Sequence, residues 1–184
     1  MRKIIISVLG QDRPGIIAAV SKILFDQDSN IENVSQTILQ SEFSGIFIAS
    51  VPKQSSLDEL HVCLKEGLAP MNLYVHVKSL EQAQNTYSPG QSEPFIITTK
   101  GPDRKGLVAK ITEIIARHKV NVSNLQALFK GGDDPNKNIM IYEVDIPPQT
   151  DPQKLYAELR EKADELGLMI SIQHRNIFEA INRV

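Results

Sequence analysis

The chain has 184 residues, a formal net charge of −2, 41% hydrophobic and 23% charged residues, and a single cysteine, Cys63. That balance is ordinary for a folded globular chain, rules out an internal disulfide and points to a reducing compartment. Because no segment concentrates Lys or Arg, it also argues against a broad phosphate-contacting face for nucleic acid. No apolar run reaches membrane-spanning length, and Met1 leads directly into a strand pattern without signal-peptide architecture, so the expected location is cytoplasmic with no membrane partner.

Lys3–Leu9 is a β-branched run that reads as a buried strand. Gly10–Pro14 is a turn. Gly15–Asp26 follows as a helix whose apolar residues Ile16, Ile17, Val20, Ile23 and Leu24 make one stripe. Ile31–Leu39 and Gly45–Val51 read as strands joined by a turn around Ser41–Ser44. A second helix spans Ser55 to about Leu68, with Leu57, Leu60, Leu64 and Leu68 on one face. Met71–Val77 alternates as a half-buried strand does. Residues 81–94 are polar with Pro and Gly and read as a linker between a first domain, 1–80, and a second, 95–184.

The second half repeats the order: a strand at Phe95–Thr99, a turn at Gly101–Gly106, a helix to about His118, and strands at Val120–Phe129 and Ile139–Ile146. A helix over about Pro152–Leu166 and a strand over Leu168–His174 complete it. The hairpin loop Lys130–Asn138 is longer than its counterpart, and the tail residues Ile177, Phe178 and Ile181 are apolar enough to dock. The repetition is register-true. Gly10-Gln11-Asp12-Arg13-Pro14-Gly15-Ile16 returns 91 positions later as Gly101-Pro102-Asp103-Arg104-Lys105-Gly106-Leu107, and Asn30 and Asn33 return as Asn121 and Asn124. A shared period across turn and core residues means two copies of one folding unit. The predicted class is α+β: two ferredoxin-like βαββαβ domains, each a four-stranded antiparallel sheet with two helices on one face. Each half alone is a marginal core, so it leans on the other half or on a second chain.

Each Gly-x-Asp-Arg-x-Gly segment lies between a strand end and a helix start, where the first helical N–H groups have no intrahelical partner and can hold an anion. Gly15 and Gly106 let a ligand approach the backbone. A second reading stays open: Asp12 and Asp103 as helix caps, and Asn30 and Asn121 as left-handed helix terminators. His61, His76, His118 and His174 show no metal spacing with one another or with Cys63, so neither metal nor cofactor is expected. No nucleophile carries a local catalytic signature, Gly131-Gly132-Asp133-Asp134 lacks the alternating ligands of a calcium loop, and the basic-aromatic strand motif of RNA-binding βαββαβ domains is absent.

The two turns and the Asn-Ile and Asn-Val strand starts make the chain resemble tandem ACT domains, over nearly its whole length. The resemblance implies a non-catalytic regulatory protein that binds a small free amino acid, with glycine the first candidate, between ACT units. It implies ligand contacts at Asp12 and Asn30 and at Asp103 and Asn121. Backbone N–H groups near Arg13, Gly15 and Ile16, and near Arg104, Gly106 and Leu107, would hold the carboxylate. It also implies a homodimer, and control of glycine-cleavage genes through a protein partner, a DNA-binding activator, without direct nucleic-acid contact. Serine-binding ACT domains have Asn where this chain has Asp12 and Asp103, and His where it has Gly10 and Gly101. Lys105 replaces the turn Pro, which makes the second copy the weaker match. The alternative is a constitutive oligomerisation module whose turns hold nothing.

Overall fold

The computed structural model describes residues 1–80, 91–129 and 138–177, which fall in two compact units divided between Thr86 and Tyr87. The first unit runs β1 (Arg2–Gln11), α1 (Ile16–Asp26), β2 (Asn30–Leu39), β3 (Glu42–Val51), α2 (Leu57–Leu68), a short 3₁₀ turn (Ala69–Met71) and β4 (Tyr74–Ser79). The second runs β5 (Glu93–Gly101), α3 (Leu107–Arg117), β6 (Asn121–Phe129), β7 (Asn138–Ile146), α4 (Pro152–Glu165) and β8 (Met169–His174). Each sheet is antiparallel and four-stranded, with order β2-β3-β1-β4 and β6-β7-β5-β8. The βαββαβ class expected from the repeat is the one observed.

Several boundaries shift, and β1 and β5 run on through Gln11 and Gly101 into the expected turns. β5 begins at Glu93, inside the expected linker, because Glu93 and Pro94 pair with Ile146 and Asp145 of β7. β4 begins at Tyr74 because Ala69–Met71 close a 3₁₀ turn first. The β2–β3 hairpin is tighter than Ser41–Ser44: Leu39 pairs with Glu42, and Gln40 takes a left-handed φ of 57°. The expected loop tip at 130–137 and the tail residues Phe178 and Ile181 lie outside the described residues.

Helical periodicity places the cores. In the first unit α1 buries Ile16, Val20 and Leu24, and α2 buries Leu60, Leu64 and Leu68, against Ile4, Ile6, Val8, Phe43, Phe47 and Ala49 of the sheet. In the second, Leu107, Ile111, Ile114 and Ile115 of α3 and Leu155, Leu159 and Ala163 of α4 meet Ile97, Met140, Tyr142 and Val144. Each such aliphatic side chain contributes about 1.5–3 kcal/mol on burial. Both second strands carry a bulge at the same place, between Ile31 and Asn33 and between Val122 and Asn124. Among the described residues, no helix is long and apolar enough to cross a membrane.

The helix starts differ by position. α2 is capped by Ser56, whose Oγ accepts from the Glu59 N–H at 3.3 Å, with Asp58 and Glu59 favourably placed at the positive end of the dipole. α4 is capped by Asp151, which accepts from the N–H groups of Gln153 and Lys154 at 3.0 and 3.2 Å, and Pro152 opens the helix. α1 and α3 have no side-chain cap at all.

Phe47 is fully buried at the centre of the first core. Phe47→Ala is expected to lower stability by about 3–5 kcal/mol, the usual cost of such a truncation. Urea unfolding followed by circular dichroism checks it, and an unchanged midpoint would contradict this placement of the core.

Candidate functional site

Each repeated turn joins the end of the first strand to the start of the first helix. Gly10 pairs with Phe43, and Gly101 with Asn138. A Cβ on Gly10 would lie 2.8 Å from Leu73 Cδ2 and 3.2 Å from the Asn72 carbonyl oxygen. On Gly101 it would lie 2.7 Å from Leu168 Cδ2 and 2.9 Å from the Gly167 carbonyl oxygen. The first glycine of each turn therefore answers to the chain entering the last strand, most tightly at Gly101, where the close neighbour is backbone. The last glycine has a different reason. Gly15 and Gly106 take left-handed conformations, with φ of 97° and 86°, at the N-cap position.

That conformation leaves the helix start open. Gly15 and Gly106 offer no cap, while their carbonyl oxygens accept the Ala19 and Lys110 N–H groups at 2.9 and 3.0 Å. The N–H groups ahead of those bonds have no intrahelical acceptor. Asp12 and Asp103 do not cap either helix, so the capping reading of these two residues fails. Asp12 is exposed and held through its backbone, whose N–H donates to the Ser41 carbonyl at 2.7 Å. Asn30 and Asn121 are not helix terminators either. Asp28 and Lys119 take the left-handed conformation after α1 and α3, with φ of 51° and 59°.

In the first unit the open helix start lies in a cleft of about 210 Å³, lined by Asp12, Arg13, Gly15, Ile16, Ile17, Ala18, Gln36 and Phe43. The structure thus brings together Asp12, Arg13, Gly15 and Ile16 as the sequence suggested. It adds Gln36 from β2 and Phe43 from β3. It leaves Asn30 out: Asn30 pairs with Ser50, whereas the turn joins the sheet beside Phe43, seven residues away along β3. That is roughly 23 Å at about 3.3 Å per residue. Asn121, paired with Asp145, is separated in the same way from Gly101 and the second turn. In that turn, Asn138 Nδ2 donates to Asp103 Oδ1 at 3.4 Å.

A wider groove of about 770 Å³ runs between α3 and α4, lined by charged side chains such as Lys110, Glu113, Arg117, Glu158 and Lys162. Several of these charges pair with each other. Arg117 reaches Glu158 at 2.7 Å, His118 reaches the same carboxylate at 3.2 Å, and Lys162 pairs with Glu165. The His118 hydrogen bond, with help from Arg117, holds the Glu158 carboxyl below its usual range. This is a solvated helix face. Among the described residues no group of three or more His, Cys, Asp or Glu side chains is placed to hold a metal ion.

A family model described as ACT domain matches residues 2–78 and 93–173. The chain is similar to the UPF0237 proteins of Methanococcus maripaludis, 34% identical over 79 residues covering 42% of this chain and 88% of that one, and of Methanopyrus kandleri, 37% identical over 87 residues covering 47% and 93%. Each alignment is about one unit long. Among solved structures, a protein of unknown role from Galdieria sulphuraria matches 94% of this chain and 98% of its own with a TM-score of 0.76 at 21% identity. A candidate glycine cleavage system transcriptional repressor matches 94% and 96% with a TM-score of 0.62 at 17% identity. Both show the tandem fold.

Gly101→Ala tests the packing role of the turn's first glycine. The new methyl must displace the Gly167–Leu168 backbone, so a loss of about 1–3 kcal/mol is expected, as for other overpacked sites. Thermal melting measures it; a melting temperature equal to that of the unsubstituted chain would mean that the close approach is not confining.

Proposed function

The chain belongs to the ACT-domain family, and from that premise we propose that it is a non-catalytic regulatory protein whose repeated turns bind a small free amino acid, with glycine the first candidate. One observation carries the reading. In both units the second helix is capped by a side chain and the first is not, and the uncapped start stands beside an Asp that does no capping. An α-amino acid has the complementary pair of charges. Its carboxylate suits the free N–H groups at the positive end of the helix dipole. Its ammonium suits Asp12 or Asp103. The cleft volume of about 210 Å³ lies below the roughly 300–1,000 Å³ of drug-sized sites, which favours a ligand of few heavy atoms. Asn30 and Asn121 are out of reach of the turn in their own unit, so they join such a site only where another ACT unit is apposed.

By the family likeness, the bound amino acid changes association with a protein partner, a DNA-binding activator of amino-acid metabolism genes, without direct contact with nucleic acid. The solved structure described as a candidate glycine cleavage system repressor supports this direction through its fold. A homodimer is part of the proposal. From Asn33 to Leu39 the edge strand β2 carries no charged residue and no Pro. Natural sheet edges that avoid pairing usually have such protection. Static light scattering at tens of micromolar is expected to report a dimer; a strict monomer would remove that element of the proposal.

The ligand reading is tested at Asp12. The best tiny ligands gain at most about 1.5 kcal/mol per heavy atom, so glycine has a ceiling of roughly −7.5 kcal/mol, near micromolar affinity. A thermal-shift screen against the twenty amino acids should find a stabilising ligand, and calorimetry should place it between micromolar and millimolar. Asp12→Asn should leave the unliganded melting temperature unchanged and weaken binding at the first turn by about 1–3 kcal/mol, the range for a lost charged hydrogen bond. No response to any amino acid, or an Asp12→Asn protein with an unaltered response, would leave the turn as structure only.

A further inference from the structure

The two sheets differ on the face that carries no helix. Strand alternation puts Ile5, Ser7 and Leu9 of β1 with Ile46 and Ile48 of β3 on that face of the first unit. In the second unit the same face holds Ile96, Thr98 and Lys100 of β5 with Ile139, Ile141 and Glu143 of β7. The first face is open: Leu9 is 50% exposed, Ile46 45% and, from β4, Tyr74 73%. On the second, Ile96 is 5% exposed although α3 and α4 pack on the opposite side, and Thr98, Ile139, Ile141 and Glu143 are partly buried. Ile5, which holds the place of Ile96 91 positions earlier, keeps more of its surface.

The chain that leaves β8 turns onto this face. Ile170 and Ile172 pack against the core, so Ser171, Gln173 and Arg175 share the other side. Arg175 Nη2 lies 3.3 Å from Glu143 Oε2, while Asn124 Nδ2 of β6 donates to Glu143 Oε1 at 2.8 Å. Glu143 and Gln173 both pair with Ile96, from opposite sides of β5. The Arg175 side chain therefore crosses β5 to reach its carboxylate, and its Nε is fully enclosed with no acceptor among the described residues. The first unit has no such tie. At the corresponding places, 95 positions earlier, stand Ile48 and Leu80. The direction of the chain is set at the same point. The His174 ring packs edge-on against Phe95, with centroids 5.2 Å apart, and its Nδ1 accepts the Asn176 N–H at 3.2 Å as an N-cap side chain does. Arg175–Ile177 then start a helical turn.

We propose that the helix-free face of the second sheet is a docking surface for the chain's own C-terminal segment, Arg175–Val184, held by Arg175 on Glu143 and covering Ile96 and Ile141. The occupant is the chain itself because the tie is already made at Arg175, and an apolar stripe begins two residues beyond it. At helical spacing Ile177, Phe178 and Ile181 fall on one side. Ten residues of helix from Arg175 to Val184 reach about 15 Å, roughly three strand spacings. The Arg175 stem is the first part of the cover. Glu143 is a charge on a face with three isoleucines, and its two oxygens bind β6 on one side and the segment on the other. A face so occupied is withheld from other partners, whereas that of the first unit keeps Leu9, Ile46 and Tyr74 exposed.

Thiol accessibility tests the proposal. In a Cys63→Ser background, Ile96→Cys reports on the covered face, Ile5→Cys on the open face and Ile97→Cys on the core. A maleimide is expected to modify Ile96→Cys at least tenfold faster in a chain ended at His174 than in the full chain, with the rates at Ile5→Cys and Ile97→Cys unchanged. Two full-length variants avoid truncation. Phe178→Ser with Ile181→Ser removes the stripe and should accelerate Ile96→Cys to a similar degree, and Arg175→Ala removes the tie and should accelerate it severalfold. Equal rates at Ile96→Cys with and without the segment would overturn the proposal, and so would a full-length double variant that labels like the unsubstituted chain. Acceleration of the same size at Ile5→Cys or Ile97→Cys would also overturn it, because the segment would then stabilise the fold in general and cover no particular face.

Discussion

Each candidate site depends on a backbone conformation: a glycine in the left-handed region that starts a helix. A residue with a Cβ would meet a penalty of about 1–2 kcal/mol there, and Gly15 and Gly106 avoid it. Ser56 and Asp151 show what this chain does where a helix start has only to be stable: an extended residue caps it with its own oxygen. At α1 and α3 the cap is given up. The Asp four residues before each helix, Asp12 or Asp103, does no capping, and the amides are left for another acceptor. Stability lost at that terminus is recovered by the buried faces of the same helices, Ile16, Val20 and Leu24 in one and Leu107, Ile111, Ile114 and Ile115 in the other.

Duplication preserves the frame and lets its floor change. Where β3 carries Phe43 and Gly45, with the ring covering the glycine, β7 carries Asn138 and Met140. That paired exchange is volume-compensated. A large ring that reaches across an empty position is replaced by a flexible side chain that fills that position itself. Cores tolerate such coordinated changes better than single ones, and methionine adapts to irregular gaps. The consequence is that a polar group takes the place at the turn that Phe43 occupies in the first unit. Around it, burial pushes the Tyr142 hydroxyl up to about 12, with the Thr99 hydroxyl beside it acting in the opposite sense. Tyr142 therefore stays protonated as a hydrogen-bonding group of the core, and the second unit carries a more polar inner layer than the first.

The fold was legible because its signals are local or periodic. The apolar stripes of α1 and α3 and the return of the turns 91 positions on define both units without any knowledge of long-range contacts. The site was legible only along the chain. Asp12, Arg13, Gly15 and Ile16 are consecutive or nearly so, and they do line one cleft. Gln36 and Phe43 reach it through strand register, set by the two-residue hairpin at Gln40 and Ser41. The hydrogen bond of Asn138 to Asp103 was hidden for a related reason. The longer loop before it puts β7 95 positions after β3, whereas the turns are 91 apart, so comparison at one offset does not align Asn138 with Phe43. Asn30 came only from the family resemblance, as a contact between units, and antiparallel pairing puts it at the opposite end of the sheet from the turn of its own unit.

Sheet order makes one element, β2, both an open sheet edge and a wall of the cleft at the first turn. β2 is an edge strand, and of its ten residues only Ile31 is even partly buried. Val34 and Ile38 pair with the buried residues Phe47 and Phe43, so they point to the helix-bearing side and yet remain exposed. This apolar strip, continued by Ile17 at the start of α1, borders unpaired backbone groups. A chain that pairs with β2 would satisfy those groups and cover the strip at once. Gln36 lies between Val34 and Ile38 on the same face and lines the cleft beside Asp12. Such a chain would therefore stand at the mouth of the cleft at the first turn, and anything that shifts β2 on assembly would shift a wall of that cleft.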